Sequence, residues 1–596
     1  MKYSDQLAAW LSELGYTHCF FVAGGNIMHL LESCSHKFVC TPVVHEVAAG
    51  IAVEYFNEVS VKGRAFALIT AGPGLTNIVT AMAGAFLESR ELLILGGQVK
   101  VADLARGQIR QRGIQEIDGV SIAKPVAVTS VLIDSVLDRR EFSRLAESGS
   151  RGRKGPVFLE IPLDIQGAVT NPSQLNATSL YAADASFSPV PAAILQDIVV
   201  RLRSAKRPVL LIGGGINRQT SERVLDRLAT IGVPLMVTWN GIDRVPEDHP
   251  FFFGRPNTWG QRAANILLQQ ADLLIALGTR LGLQQTGFNW QQFIPVGKVV
   301  QVECDPAELA KGHPHVDVPV NGDANDVLEF IASQDGYSNY GEWVTFCRSV
   351  RSAINPNDPA NHTGPGFVSP YDFCLRLSEL CNSDDVVIPC SSGSANTVMM
   401  QTFQVKQGQR LFNDKGLASM GYGLSGAIGA AFAASAERST ATRTVLVEGD
   451  GGFIQNLQEL GTVSVNQLNL KIFIFDDNGY ASIRMTQKNY FGGSYIGCDT
   501  STGLGIPHWD SLFAAYDISV QRLKPGFHTD AQFLEAFDAP GPAAFLVQID
   551  PEQTYFPKIS SRVTASGSME SNPLHLMTPD LDEATAAEVF CYLPPV

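Results

Sequence analysis

Residues 444–460 read TVLVEGDGGFIQNLQEL, and residues 471–479 read KIFIFDDNG. Each segment begins with a short apolar run typical of a buried strand and passes into a polar turn that contains glycine. A helical pattern lies between the two runs, which predicts two parallel strands joined by a crossover helix. The two turns would then meet at the carboxyl edge of a sheet, where open α/β folds bind ligands.

The two turns carry side chains suited to a hard cation. Asp450 offers a carboxylate and Asn478 a carboxamide oxygen, the kinds of ligand that Mg²⁺ takes together with phosphate and water. The helix that starts after Gly451 would add amide donors for phosphate oxygens. Gly-Asp-Gly alone is common, and an ordinary strand–turn–helix is the alternative reading.

The two turns together resemble the Gly-Asp-Gly…Asn-Asn motif of thiamine diphosphate enzymes, with Asp477 in place of the first Asn. The resemblance implies that Asp450, Asn478 and the backbone carbonyl of Tyr480 hold Mg²⁺. It also implies a set of cofactor-binding residues in the two turns: Gly449, Gly451, Gly452, Tyr480, Ala481 and Ile483.

Composition narrows the class of protein. The chain has 596 residues, is 45% hydrophobic and carries a net charge of −15, which predicts several globular domains and argues against nucleic acid or anionic membranes as partners. The ten cysteines show no metal-binding spacing, as expected of reduced thiols. The start of the chain shows no signal peptide and no apolar run reaches the roughly 20 residues of a membrane span. We therefore expect a cytoplasmic protein.

Alternating strand and helix patterns, interrupted by polar linkers rich in Pro and Ser, divide the chain into blocks. They predict an α/β fold with three parallel-sheet, helix-covered domains. The predicted ranges are an N-terminal domain at 1–170, a central domain at 190–345, a C-terminal domain at 367–552 and a tail at 553–596.

The first block strengthens the resemblance. His45-Glu46 opens a helix, where Glu46 could simply complement the helix dipole. Together with the segments TAGPGLTN at 70–77 and GPVFLEIP at 155–162, however, it resembles the pyrimidine-binding domain of acetolactate synthase-like enzymes. The resemblance implies that Glu46 hydrogen-bonds the pyrimidine ring, and that Gln115 reaches the substrate although Ile114 replaces the family's Phe. The cofactor contacts implied here are Gly24, Gly25, Pro73 and Asn77.

Further features belong to the third block. By resemblance, Met420 supports the bent cofactor, and a loop with Gly393 and Ser394 contacts it. The segment GYGLSG at 421–426 fits a dinucleotide fingerprint, but no strand precedes it, so we assign its glycines to close helix packing within the third block.

The middle block carries glycine turns after two strands, which could cradle a phosphate. Acetolactate synthases bind FAD in this domain, although Gly282-Leu283-Gln284 departs from their pattern here. The resemblance implies a possible FAD set of Gly213, Gly214, Gly215, Gly278, Arg280, Asp305 and Asp323.

The resemblance predicts a carboligase that decarboxylates a 2-keto acid such as pyruvate and transfers the acyl unit to a ketone, a keto sugar or a second keto acid. Gln487 replaces the Trp with which acetolactate synthases select their acceptor. Arg484 and Lys488 could meet an anionic acceptor or form a solvated face. The alternatives are a decarboxylase or C–C lyase, and a non-catalytic subunit that binds thiamine diphosphate or FAD. The family's shared active site implies a homodimer or homotetramer.

Overall fold

The structure is a computed structural model that describes residues 1–176, 179, 181, 187–389, 392–437, 442–563 and 569–594. Three parallel sheets follow one another along the chain, each covered by helices, and a small antiparallel pair of strands lies in the tail. The prediction of an α/β fold with three parallel-sheet domains is confirmed.

The first sheet has six parallel strands in the order β2-β1-β3-β4-β6-β5. The strands are β1 Tyr16–Phe21, β2 Val39–Pro42, β3 Arg64–Ile69, β4 Leu92–Gln98, β5 Thr129–Leu132 and β6 Pro156–Pro162. The helices are α1 Tyr3–Glu13, α2 Met28–Ser35, α3 Glu46–Val59, α4 Pro73–Glu88, α5 Gly119–Ala123, α6 Arg139–Ala146, α7 Leu163–Gln166 and α8 Pro172–Leu175.

The middle sheet has five parallel strands in the order β11-β10-β9-β7-β8. The strands are β7 Pro208–Ile212, β8 Leu235–Val237, β9 Leu273–Leu277, β10 Lys298–Glu303 and β11 Val318–Asn321. The helices are α9 Ala192–Ser204, α10 Arg218–Ile231, α11 Arg262–Gln269, α12 Leu283–Thr286, α13 Pro306–Ala310, α14 Ala324–Ser333 and α15 Gly341–Ala353.

The third sheet has six parallel strands in the order β13-β12-β14-β15-β17-β16. The strands are β12 Val386–Pro389, β13 Arg410–Leu411, β14 Thr444–Gly449, β15 Leu470–Asp476, β16 Ser519–Leu523 and β17 Ala543–Gln548. The helices are α16 Pro370–Leu380, α17 Gly393–Thr402, α18 Tyr422–Glu437, α19 Asp450–Phe453, α20 Leu460–Val465, α21 Ala481–Phe491, α22 Trp509–Ala515 and α23 Ala531–Asp538.

The two outer sheets share one topology. When the strands of each are counted from its first, both sheets read 2-1-3-4-6-5. Helices α3 and α18 follow the second strand of their own domains, and they pack against each other inside one continuous apolar core. The outer domains therefore meet through equivalent helices.

The tail after residue 552 returns to the middle domain. Its strands β18 Ser561–Val563 and β19 Met569–Ser571 are followed by helix α24 Glu583–Val589. Leu574 and Val589 are fully buried in the core of the middle domain. Within the described ranges, no helix has the length and apolar character needed to cross a membrane.

One predicted boundary is wrong. Helix α15 runs through residue 345, where the sequence ended the central domain, and buries Trp343 and Cys347 in that domain's core. The helix ends at Ala353, directly before the Asn- and Pro-rich segment INPNDP at 354–359. The other domain boundaries remain predictions, with one sheet inside each range.

Candidate active site

The two turns of the third domain lie side by side. Strands β14 and β15 are paired, and Gly449 is opposite Phe475 at their carboxyl ends. Asp450 is 1% exposed, and its Oδ1 and Oδ2 accept hydrogen bonds from the amides of Gly451 at 2.6 Å and Gly479 at 2.9 Å. The structure therefore brings Asp450 next to Asn478, as the sequence predicted.

Two buried carboxylates meet at this edge. Burial raises the pKa of Asp450 well above its usual range, and the neighbouring Asp477 raises it further. Burial also raises the pKa of Asp477 to about 7, against the opposing charge of Arg484. A divalent cation would relieve the cost of burying such groups. The donor set of Asp450 and Asn478 thus fits Mg²⁺.

The third predicted metal ligand, the backbone carbonyl of Tyr480, is already engaged in hydrogen bonds. The carbonyl of Tyr480 accepts hydrogen bonds from the amides of Ile483 and Arg484, both at 2.9 Å, at the start of α21. The side chain of Asn478 accepts a hydrogen bond from Thr500 Oγ1 at 3.1 Å. A cation at the Tyr480 carbonyl would compete with the first turn of α21.

Arg484 has a role that the sequence did not reveal. It is 8% exposed and donates through Nη2 to the Asp477 carbonyl at 2.7 Å and to Asp477 Oδ1 at 3.2 Å, and through Nη1 to the Asn478 carbonyl at 3.1 Å. Lys488 is exposed and pairs with Glu552. The expectation that both cations face an acceptor, or that both form a solvated face, is wrong because Arg484 turns inward to the turn at Asp477 and Asn478.

Open space borders these turns on the side where a diphosphate is expected. A Cβ built on Gly449 meets no atom within 4 Å, and one on Gly393 meets only Ser482 Oγ at 3.9 Å. Gly451 instead packs on the Tyr480 ring, 2.3 Å from where its Cβ would be. The other predicted cofactor residues, Gly452, Ala481, Ile483 and Ser394, lie in the first turns of α19, α21 and α17.

Tyr555, from the start of the tail, lies near Ser394 and Asp477. Its side chain is 6% exposed, and its hydroxyl makes no hydrogen bond of normal geometry to a described residue. Burial raises the pKa of Tyr555 well above its usual range, Asp477 raises it further and Ser394 opposes the shift. This buried hydroxyl near Ser394 and Asp477 fits a polar ligand, and nothing in the local sequence marked it.

Met420 lies on the loop before α18. It is 36% exposed, and Gln455 Nε2 lies 3.6 Å from its sulfur. The predicted packing of the 421–426 glycines within the third block is confirmed at Gly423, where a Cβ would lie 2.6 Å from the Glu448 carboxylate, but a Cβ on Gly426 would lie 3.0 Å from the Tyr55 ring. The structure adds that the partner is α3 of the first domain.

Glu46 begins α3 at the carboxyl edge of the first sheet. It is 7% exposed, and its Oε2 accepts a hydrogen bond from Asn77 Nδ2 at 2.9 Å. Gly72, just before Pro73, has φ +64° and lies against the Gln115 carbonyl, 2.3 Å from where a Cβ would be. The structure thus gathers Glu46, Asn77, Pro73 and Gln115 at one edge. Gly24 packs on Thr70 nearby, and Gly25 borders open space.

The loop that presents Gln115 is held by its neighbour. Gln115 itself has a left-handed backbone, with φ +64°. Glu116 is 6% exposed and accepts hydrogen bonds from the amides of Ala105 at 2.6 Å, Arg112 at 2.8 Å and Gly113 at 3.3 Å. Glu116 therefore fixes the conformation that turns Gln115 toward Gly72.

The possible FAD residues lie together at the edge of the middle sheet but are largely engaged. The amide of Gly215 donates to the Gly278 carbonyl at 2.9 Å, and Gly213 and Gly214 also pack on backbone. Asp305 caps α13 and pairs with Arg153 of the first domain, and Asp323 caps α14. The Arg280 carbonyl accepts a hydrogen bond from Lys311 Nζ. These carboxylates therefore serve the fold, and the fit to a flavin is incomplete.

Family comparisons cover the three domains in order. Residues 1–122 match the thiamine pyrophosphate enzyme N-terminal TPP binding domain, residues 195–331 the central domain and residues 391–547 the C-terminal TPP binding domain.

Curated relatives match over nearly the full length. The large subunit of acetolactate synthase isozyme 1 from Escherichia coli is 28% identical, over 93% of this chain and 95% of the relative. A probable acetolactate synthase large subunit from Methanococcus aeolicus is 27% identical, over 89% of each chain. The chloroplastic acetolactate synthase 1 of Zea mays is 26% identical, over 94% of this chain and 87% of the relative.

Proposed function

Because this chain belongs to the thiamine pyrophosphate enzymes and is acetolactate synthase-like, we propose that it is a carboligase that decarboxylates a 2-keto acid, with pyruvate as the first candidate donor. The acyl unit would pass to a carbonyl acceptor: a ketone, a keto sugar or a second keto acid. The observation that carries the proposal is twofold: the Gly479 amide ties Asp450 to the turn that carries Asn478 in one outer domain, and Asn77 donates to Glu46 in the other.

The residues of the chain divide the work between the two outer domains. When bound, thiamine diphosphate supplies a nucleophilic carbon and an electron sink for decarboxylation. Asp450 and Asn478 would hold the Mg²⁺ that anchors the diphosphate. Glu46 would hold a proton at the pyrimidine ring nitrogen, and Asn77 fixes the direction of its carboxylate. Gln115, presented by Glu116, would orient the substrate.

Our proposal for the class of acceptor depends on Gln487. Its side chain makes two hydrogen bonds with the backbone of Ile496: it donates to the carbonyl at 3.1 Å and accepts from the amide at 3.0 Å. It occupies the position where acetolactate synthases carry an acceptor-selecting Trp. An acceptor other than a second keto acid, such as a ketone or a keto sugar, is therefore our first choice.

Assembly and flavin binding extend the proposal. A homodimer or homotetramer in the cytoplasm would pair the Glu46 edge of one subunit with the Asp450 edge of its partner. FAD in the middle domain is the less supported part, because Asp305 and Asp323 already cap helices. Flavin absorbance of the purified protein tests it directly.

The test is CO₂ release by purified protein with thiamine diphosphate, Mg²⁺ and pyruvate, with and without added ketones. We expect release that rises with an acceptor and a new C–C bond in the product. Release that yields only free aldehyde would favour the decarboxylase or lyase. No release with any 2-keto acid would support the non-catalytic subunit instead.

A further inference from the structure

The backbone turn that leads into Glu46 is held by the third domain. Glu459 is fully buried, and its Oε1 accepts hydrogen bonds from the amides of Val44 at 3.1 Å and His45 at 3.0 Å. Its Oε2 accepts from Thr462 Oγ1 at 2.7 Å. One carboxylate of the third domain therefore meets the two backbone amides that immediately precede Glu46.

Burying the Glu459 carboxylate at this position costs free energy, and its hydrogen bonds offset part of that cost. Burial raises the pKa of Glu459, and the hydrogen bonds from Thr462, Val44 and His45 oppose that shift. The carboxylate sits at the N-terminal end of α3, a helix of 14 residues whose dipole favours an anion there. Removing it would leave two amides of the turn without their acceptor.

The effect on Glu46 is geometric. Glu46 is the first residue of α3, so its side-chain direction is set by the backbone of residues 44 and 45. Asn77 holds the other end of the side chain, at Oε2. Proton transfer depends steeply on placement, and a displacement of about 1 Å can cost roughly 10²-fold in rate.

We propose that Glu459 is a positioning residue that sets the direction of Glu46 toward the pyrimidine ring of the cofactor. The proposal rests on the role of Glu46 stated under the proposed function. Glu459 also lies on the segment that begins at Asp450, so one chain ties its metal-binding turn to its own Glu46.

The chain offers a matched control at the other end of the same helix. Glu437 of α18 accepts hydrogen bonds from the amides of Val61 at 2.5 Å and Lys62 at 2.6 Å, and from the Ser60 hydroxyl. It is also a carboxylate of the third domain that holds first-domain backbone. It lies beyond the C-terminal end of α3, far along the helix from Glu46.

The experiment measures deuterium exchange at C2 of thiamine diphosphate bound to the full-length protein with Mg²⁺ and no substrate. Glu459→Ala should slow exchange about tenfold or more while leaving cofactor binding unchanged. Glu459→Gln keeps an acceptor oxygen and should restore most of the rate. Glu437→Ala should exchange like the wild type. If Glu459→Ala does not fold, Glu459→Asp, whose shorter side chain withdraws the carboxylate, should show the same selective loss.

The outcomes separate two failures. Equal exchange in Glu459→Ala or Glu459→Asp and the wild type, or equal slowing in Glu437→Ala, would overturn the positioning role. Glu46→Gln in the same assay tests the proposed function: if that variant exchanges normally, the role of Glu46 itself is refuted, whatever Glu459 does.

Discussion

At residue scale, Asp477 and Arg484 form a buried ion pair at the turn that carries Asn478. Arg484 also holds the carbonyls of Asp477 and Asn478, so the pair fixes the backbone from which Asn478 projects. Breaking one partner of a buried pair is costly because the other charge stays buried and unpaired. The ion pair thus stabilises the backbone conformation of the turn at Asn478.

We expect Arg484→Met to weaken Mg²⁺-dependent cofactor binding by about 10- to 100-fold, the range for lost support of a metal ligand. The double variant Arg484→Met, Asp477→Asn should recover part of the loss, because it leaves no unpaired carboxylate. Titration of cofactor binding against Mg²⁺ measures both. Lys488→Met is the control on the same helix, since Lys488 is exposed. A loss in that control equal to the loss in Arg484→Met would contradict the role.

Local motifs predicted Glu46, Asp450 and Asn478 because each follows a strand in a turn of recognisable composition. Arg484 and Glu459 could not be predicted in the same way. Arg484 looks like one charge on a polar helix face, and only the folded turn shows that it points inward. Glu459 acts on residues more than 400 positions earlier in the chain, a contact that no local pattern encodes.

At element scale, the crossing of α3 and α18 depends on small residues. A Cβ on Gly429 would lie 2.0 Å from the Ala52 carbonyl oxygen. Gly429 and the fingerprint glycine Gly426 allow this close approach between two domains, whereas the sequence indicated only packing within the third block. The close packing of α3 and α18 therefore joins the two outer domains.

We expect Gly429→Ala to lower the thermal midpoint of unfolding, because the methyl group would overlap backbone that cannot move aside. Helix propensity alone would favour Ala by about 1 kcal/mol. Gly461→Ala in α20 is the control, since its Cβ would meet only the Tyr516 ring at 3.5 Å. Melting curves of the two variants should shift in different directions or by clearly different amounts, and equal shifts would contradict the packing argument.

Strand β6 carries a pH-sensitive carboxyl. Glu160 is 3% exposed and accepts a hydrogen bond from Gln98 at 3.1 Å. Burial raises its pKa to about 8, the bond from Gln98 opposes the shift, and Asp118 and Glu116 add to it. The native state thus keeps a proton that the unfolded chain loses above its ordinary pKa of 4.5, so this group's contribution to stability falls as the pH rises through that window.

We expect Glu160→Gln to raise the thermal midpoint relative to the wild type at about pH 8 and to change it little at about pH 5. At the alkaline end, the gain in the free energy of unfolding should be on the order of a few kcal/mol. Thermal unfolding followed at several pH values measures the difference. A difference that is the same at both ends would show that Glu160 does not titrate in this window.

At the scale of the whole molecule, the proposed active site divides its parts between subunits. A dimer mixed from Glu46→Gln and Asp450→Ala chains would contain one intact site and one doubly altered site. Since half of the dimers are mixed, about a quarter of the wild-type CO₂ release should return when the two inactive proteins are reassembled together. Each variant reassembled alone should stay inactive. No recovery in the mixture would argue against sites shared between subunits.

The burial of Leu574 and Val589 under the middle domain has a consequence for recombining parts of such enzymes. Although the tail follows the third domain in sequence, it packs into the core of the middle domain. The unit that can be transplanted is therefore the middle sheet together with residues 553–596. A chimera that moves 190–353 alone would leave an apolar hole where the tail belongs. The outer domains form a second module, because α3 and α18 must be inherited as a matched pair.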